Sequence, residues 1–449
     1  MICYSFLGSV DNHDILKYYS DCIIDCFVHV SEHEGLPVSI MEAESAGIPI
    51  VATKAGGIEE MIDGNGVLLP VNCSAADVAD AVLLVLESPQ EIILNKRTES
   101  RRIWEERFDA KKNAGLFCDR IERLTGEYNS VVFVTEGYPF IKSEAPFLKS
   151  ELSELVRRYD HVTIIGRIHR NVTDNMTKGA YEELSECLED ISLRKKISII
   201  PYVDIYNRFE TIKNVIRYLS DKMISIERNT IWKYGEKRLI RYWESLKYYT
   251  EALKFEKWLN SLEAFKVLDY GKTLIYTFWN LSPTLGLCLF RKDYEGVGII
   301  TRAHGFDVQD DRWEMSHRKP FAEVVDELID HIVFVSKTGK DQYISRYRCV
   351  NDDEKYLYSY LGSYDSEDHH DKQSKMDHTV NDNTSGNKVY RIASCGSLIP
   401  LKRIGLLIDA LRIIKDKRPD INIEWAHFGD GPLRNELETY AACQFEKSR

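Results

Sequence analysis

Residues 24–52 read IDCFVHVSEHEGLPVSIMEAESAGIPIVA, and two changes of pattern within them decide the fold. Residues 24–30 (IDCFVHV) and 48–52 (IPIVA) are short runs of apolar and β-branched residues, and 66–69 (GVLL) is a third. Helical windows at 37–46, 57–63 and 75–87 lie between and after them. Short buried strands alternating with helices are the pattern of parallel α/β layers. Between the first strand and its helix lies the turn Gly35-Leu36-Pro37, with Pro37 placed to open the helix. A strand-to-helix turn of small residues leaves backbone N–H groups pointing outward, a ready site for a diphosphate. Glu34 and Glu42 bracket the seven residues 35–41. Two carboxylates would repel an anion unless they serve hydroxyl groups. Glu34 can reach a sugar beyond the phosphates, and Glu42, a turn and a half into the helix, can reach back to a ribose. The plain alternative is a surface helix with ordinary acids, which the fixed spacing and the small-residue turn disfavour.

Outward from this core, residues 97–124 are helical in pattern, anchored by Trp104, Phe108 and Phe117. A second α/β series starts at Val131 (VVFVT) and continues with VTIIG at 162–166 and ISII at 197–200. Residues 205–262 read as one long helical stretch, and strand signals resume at 273–278 (TLIYTF), 298–303 (GIITRA) and 331–336 (HIVFVS). Residues 364–388 are polar and acidic with almost no hydrophobes, the composition of an exposed linker. His369, His370 and His378 fall there without a partner set for a metal. A third series opens at Tyr390 (YRIASCG), passes through INIEWAHFG at 421–429, and ends after one helix. Two strands cannot cover a sheet on both faces, and the first series lacks an opening strand and helix. Joined end to end, they give strands near 390, 422, 4, 25, 48 and 66, one six-stranded doubly wound domain.

The expected plan follows. Residues 389–449 and 1–95 are the first and second parts of one Rossmann-like domain, with crossover helices at 96–124. Residues 126–350 form another, carrying the helical insertion at about 205–262, and 364–388 is the linker. The order is that of a circular permutant. A fusion of two broken proteins, with only a vestigial or binding role, is the rival.

Composition sets limits. The chain of 449 residues is 44% hydrophobic and 29% charged, enough for two cores. A formal charge of −12 argues against a general nucleic-acid binder. The ten cysteines are scattered singly, as in a reduced compartment. The start, MICYSFLGSVDNHD, lacks the basic and apolar regions of a signal peptide, and no window approaches the roughly 18 apolar residues of a spanning helix. The expectation is a cytoplasmic protein whose membrane contact, at the inner face, would be peripheral. Residues 231–259 mix aromatic and basic residues at helical spacing. The default is a core-facing stripe with a solvated basic face, the alternative an interfacial helix.

The segment 31–49 resembles the donor-site motif of glycosyltransferase family 4, retaining enzymes of the GT-B fold. So do FLGSVDNHDILKYYSD (6–21), GIPIVATKAGGIEEMI (47–62), CGSLIPLKRIGLLIDAL (395–411) and HFGDGPLRNELE (427–438). In the other half the likeness lies in VTEGYPFIKSEAPFLKSEL (134–152) and RAHGFD (302–307). The resemblance implies two Rossmann-like doubly wound domains facing across a cleft. It implies transfer of a hexosyl-type group from a nucleoside diphosphate sugar, with retention, to a glycan or lipid-linked acceptor in surface polysaccharide biosynthesis. The co-substrate would be the nucleotide sugar, with no cofactor and no metal; the acidic pairs Asp310–Asp311 and Asp352–Asp353 lie in no phosphate-binding turn.

By the same resemblance Glu34 contacts the donor sugar, while Gly35, Leu36, Pro37 and Val38 present backbone to sugar and phosphate. Glu42 binds the ribose, Val10 lies where backbone holds the base, and Lys402 neutralises the leaving diphosphate. His304 faces the reacting sugar, and Gly137, Tyr138 and Glu144 belong to the acceptor side. Relatives often carry an arginine where this chain has Ser397; Arg403 is the candidate substitute. An epimerase or phosphorylase of the same domain plan is the second enzyme reading, disfavoured by the Glu34–Glu42 spacing.

Overall fold

The computed structural model describes residues 1–126, 128–169, 171, 173–188, 190–205, 207–220, 224–233, 238–291, 294, 296–308, 318–348, 352–366 and 388–445. Two compact units emerge, Met1–Ala110 with Leu361–Arg449, and Lys111–Tyr360. Four strands precede residue 110: β1 (Ile2–Phe6), β2 (Cys26–His29), β3 (Ile50–Thr53) and β4 (Gly66–Leu69). The second unit holds β5 (Ser130–Thr135), β6 (His161–Ile168), β7 (Ile197–Val203), β8 (Thr273–Thr277), β9 (Gly298–Ala303), β10 (His331–Phe334) and β11 (Tyr356–Tyr358). Two more, β12 (Val389–Cys395) and β13 (Asn422–Phe428), return to the first unit.

The first sheet runs β1-β13-β12-β2-β3-β4 with every pair parallel. Counted from β12, that order is 3-2-1-4-5-6, the doubly wound arrangement. The chain's two ends meet in register, Ile2 opposite Ile423 through Phe6 opposite His427, and the Met1 amine donates to the Ile421 carbonyl at 2.9 Å. Val28, Val51, Ile392 and Trp425 from the strands pack with Leu407 and Leu411 of the helix Ile404–Lys417 and Val82 of the helix Ala75–Leu86. Removing one such fully buried leucine side chain costs about 2–5 kcal/mol.

The second sheet runs β11-β10-β9-β8-β5-β6-β7, also all parallel. Its order reverses between β8 and β5. Both sheets are therefore of the α/β doubly wound class that the sequence implies.

The connecting helices depart from the expected borders. The helix Gln90–Ile103 runs straight through residue 95 and closes in a π-turn at Trp104–Phe108. Trp104 donates to the Ser363 hydroxyl at 2.8 Å, and Ser363 backbone bonds Phe108 and Ala110 on either side. The 96–124 segment thus divides, because the helix Ala110–Thr125 packs Phe117 against Tyr276 and Arg302 of the second unit.

The stretch 205–262 is not one helix but several, Arg208–Lys213, Val215–Ser220, Ser225–Lys233 and Arg238–Ser261 among the described residues. Asn214 separates the first two: its backbone amide and its side-chain Nδ2 both donate to the Glu210 carbonyl, at 3.2 and 3.1 Å, while the Tyr218 amide bonds back to Asn214 and keeps the helical register. The helix Arg238–Ser261 buries Tyr248, Tyr249, Leu253 and Phe255 in the core. Most of the aromatic stripe of 231–259 therefore faces inward, while Trp232, Leu239 and Trp243 stay exposed. No helix among the described residues is long and apolar enough to cross a membrane. Most of the 364–388 linker with its three histidines lies outside the described residues, as does Asp310–Asp311.

Candidate functional site

In a doubly wound sheet, ligands bind beyond the carboxyl ends of the strands where the strand order reverses. In the first unit that point lies between β12 and β2. The chain leaving β2 at His29 forms the turn carrying Glu34 and then the helix Val38–Ser45, for which Pro37 is the N-cap residue. The chain leaving β12 at Cys395 passes Gly396 and Ser397, tightens into a turn at Pro400–Lys402, and enters the helix Ile404–Lys417. The two exits are tied together, since the Glu32 amide donates to the Leu401 carbonyl at 2.9 Å.

Lys402 and Glu34 meet directly: the ammonium donates to the Glu34 carboxylate. The same Glu34 oxygen accepts from His29 Nε2 at 2.9 Å, and the Ser31 hydroxyl sits 3.0 Å from that nitrogen. A carboxylate can only accept, so Nε2 carries the proton. Burial alone would push the Glu34 carboxyl up, yet His29 and Lys402 hold it well below the ordinary range. It stays ionised in a site from which water is largely excluded.

Glu42 is different. It is buried, accepts from Asn12 Nδ2 at 2.5 Å, and its own carbonyl takes the Ser45 hydroxyl. Burial raises its pKa to about 8 against the single Asn12 hydrogen bond, so near pH 7 it is mostly protonated. The Cys395 thiol, raised chiefly by burial, senses both the Glu42 carboxyl and the Lys402 ammonium, in keeping with both acids and the lysine lying beyond the carboxyl ends of the central strands.

The remaining expected residues fall around this centre. The Gly35 carbonyl accepts from the Gly57 amide at 2.7 Å, while Leu36 and Val38 are buried. Val10 follows Gly8, whose carbonyl accepts from Gly429 at 2.8 Å, and it leads into the helix that carries Asn12. Ser397 is exposed on the loop after β12. Arg403 does not take the place of the missing arginine. It sits in the left-handed region at φ 49, and its guanidinium donates to the carbonyls of Val30 at 2.7 Å and Val71 at 2.6 Å. It fastens the loop to the exit of β2 instead.

In the second sheet His304 follows β9, the strand next to the switch between β8 and β5, and is buried. Its Nε2 faces the Phe278 carbonyl at 2.8 Å, which fixes the proton there and leaves Nδ1 as the acceptor. Burial, reinforced by Arg302, lowers its pKa to about 3, so the ring is neutral. The Trp279 ring lies 4.2 Å from it, centroid to centroid, and the indole donates to Glu144. Glu144 also accepts from the Tyr138 amide at 2.9 Å. Its oxygens thus anchor the loop after β5, and the fully buried Tyr138 ring is closed to an acceptor. At Gly137 a Cβ would come within 3.0 Å of the Ile141 side chain, so this position keeps the loop close-packed. Asp307 clamps the arrangement, accepting from the amides of His304 and Asn280.

Sequence reasoning missed His29, Asn12 and Trp279. A histidine within an apolar strand carried the only signal, a polar ring where a hydrophobe is usual. Asp353 of the acidic pair holds Arg348 at 2.9 Å on an exposed loop, an ordinary surface contact.

Residues 4–108 match the family described as glycosyl transferases group 1. The O-antigen biosynthesis glycosyltransferase WbnH of Escherichia coli is 42% identical over 64 residues, 14% of this chain and 18% of that protein. The probable O-antigen biosynthesis glycosyltransferase WbiN of the same organism aligns to the same extent. A GDP-mannose-dependent alpha-mannosyltransferase of Mycobacterium tuberculosis (strain CDC 1551 / Oshkosh) is 32% identical over 129 residues, 28% of this chain and 30% of that protein. The chain spans less than a third of the length of these relatives. The family match contains Glu34, Glu42, His29 and Asn12 and stops within the π-turn that ends the first unit's long helix.

Proposed function

We propose that the protein is a glycosyltransferase of family 4 and GT-B type. It moves a sugar from a nucleoside diphosphate sugar to a glycan or lipid-linked glycan in polysaccharide biosynthesis, with retention of configuration. The observation that carries this reading is the contact between Lys402 and Glu34, 368 residues apart, at the switch point of one sheet. An ammonium there suits a leaving diphosphate, and an ionised carboxylate beside it suits the hydroxyls of the transferred sugar. Glu42, protonated in the free protein, can both donate to and accept from ribose hydroxyls. Among the described residues around Lys402 and Glu34 no nucleophile is assigned for a covalent intermediate, and the reading is front-face attack: the acceptor oxygen bonds the anomeric carbon as the phosphate oxygen leaves and takes the acceptor proton. The protein's share is positioning and charge stabilisation. The neutral His304, with an open Nδ1, is assigned to the acceptor side.

We further infer a circular permutation. The in-register pairing of β1 with β13 supports it over a fusion of two incomplete transferases, which leaves ragged edges between ill-matched pieces. The deciding experiment incubates the purified protein with uridine, guanosine and thymidine diphosphate sugars and follows release of the diphosphate. Retention is read from the anomeric configuration of the product by NMR. Absence of binding to every nucleotide sugar sinks the reading. In a double-mutant cycle, additive effects of Glu34→Ala and Lys402→Ala on turnover remove the shared site, and the permutation with it.

A further inference from the structure

The second unit carries an exposed surface unlike the rest of the chain. The helices Arg208–Lys213 and Val215–Ser220 follow the carboxyl end of β7, separated only by Asn214. Phe209, Ile212, Ile216 and Leu219 recur at intervals of three, four and three residues, which sets them on one helical face. That face is turned to solvent: Phe209 is 78% and Ile216 80% exposed, Ile212 and Leu219 about half. The opposite face, with Thr211 and Tyr218, is buried against the unit. An amphipathic helix normally does the reverse. The patch extends onto the next helix, because Arg228 donates to the Leu219 carbonyl and Trp232, one turn further on and 59% exposed, shares its face. Arg238 stacks over the Trp232 ring at 4.5 Å beside the 86% exposed Leu239.

The charge of this surface is one-sided. Arg208, Lys213, Arg217, Lys233 and Arg238 are exposed around the apolar stripe, and among the described residues of 203–247 no aspartate or glutamate is exposed. The chain as a whole carries −12, so this is a local reversal of sign, not a general basicity. An apolar stripe rimmed by cations, with a tryptophan beside them, matches an interface of acyl chains below and anionic headgroups above.

We propose that this face, on residues 203–220 with Trp232 and Leu239, docks the protein on an anionic bilayer. The apolar side chains enter the headgroup boundary and the arginines and lysines meet the lipid phosphates. A protein partner would require acidic complements to the same cations. A second copy of this chain offers no exposed carboxylate on the patch among its described residues, so identical faces would set cation against cation.

The test uses the full chain and vesicles of phosphatidylcholine alone or mixed with phosphatidylglycerol in equal parts. Cosedimentation with the anionic vesicles alone is expected, weakening several-fold as salt rises from about 0.05 to about 0.5 M, with a blue shift of tryptophan emission. Phe209→Glu with Ile216→Glu, both at solvent-facing positions, is expected to lower binding about 10-fold or more with an unchanged thermal melt. Lys213→Glu with Arg217→Glu is expected to abolish the preference for anionic lipid. Binding to neither vesicle, equal binding by the Phe209/Ile216 variant, or a dimer in sedimentation that this variant dissolves would overturn the proposal. Vesicle binding needs no nucleotide sugar, so its failure leaves the donor-site reading standing.

Discussion

In the proposed reaction an arriving diphosphate would compete with Glu34 for the Lys402 ammonium. Glu34→Ala is therefore expected to lower turnover by orders of magnitude while diphosphate affinity, measured by calorimetry, is kept or improved. Weaker diphosphate binding in that variant would show that Glu34 holds the nucleotide and not the sugar. Lys402→Ala should remove roughly 2–4 kcal/mol of transition-state stabilisation, read as kcat/KM. His29 acts through Glu34 and is a positioning residue. Its loss as His29→Leu should lower kcat about 10-fold or more, since hydrogen bonds to charged groups are worth about 1.5–3 kcal/mol. His29→Gln, which keeps a donor, should recover part of it; equal losses in both would reduce His29 to packing. Glu42 contributes to the pH dependence, together with the buried Glu44 and Glu227, whose carboxyl pKa values burial also raises. The folded pKa of Glu42, about 8, lies above the ordinary 4.5, so between those values the folded state holds a proton that the unfolded chain has lost. Stability of the nucleotide-free protein then falls as pH rises through that window. Glu42→Gln should reduce this slope in melting temperature against pH by the share of one carboxyl, and an unchanged slope would assign it wholly to the other buried acids. The two glutamates were legible in the sequence because their spacing across a glycine-proline turn is chemically odd. Their opposite ionisation was not, because it depends on His29 and Asn12, which reach them only through folding.

Elements were legible where the apolar pattern was clean and lost where local chemistry intervened. β2 and β3 could be read from short runs such as IPIVA because buried parallel strands need no polar alternate. The 205–262 stretch was legible as helical, but its division into several helices was not, because hydrophobic periodicity does not register a one-residue interruption such as Asn214. Arg403 was the candidate substitute for the arginine absent at Ser397, whereas it stands in the left-handed region just ahead of the helix. Glycine matters most where the exits of the central strands crowd each other. At Gly429, φ is 137 and a Cβ would lie 2.0 Å from the Gly396 carbonyl oxygen. Gly429→Ala is expected to destabilise the first unit by about 3 kcal/mol or more, combining overpacking with backbone strain. Denaturant unfolding checks it, and a loss below about 1 kcal/mol would mean the two loops separate easily.

At the scale of the whole molecule, the doubly wound class was readable from the alternation of strands and helices, and the pairing of the two chain ends from what each lacked. The division at Ala110, inside what looked like continuous helix, was not readable, because a π-turn and a serine 259 residues away from Trp104 make it. The in-register union of β1 and β2 with β12 and β13 also has a consequence for biosynthesis on the ribosome. β2 leaves the exit tunnel with one flank open, and its neighbour β12 is translated after the entire second unit. At about 5–20 residues per second, the half-built sheet waits on the order of 20 to 70 s. Nascent chains stalled after β11 should therefore show residues 130–358 resistant to protease and residues 1–110 cleaved, with protection of the latter appearing once β13 has emerged. Early protection of residues 1–110 would mean they fold unaided. Otherwise the first part made is the last to fold, and an apolar strand edge is left for chaperones to cover throughout synthesis.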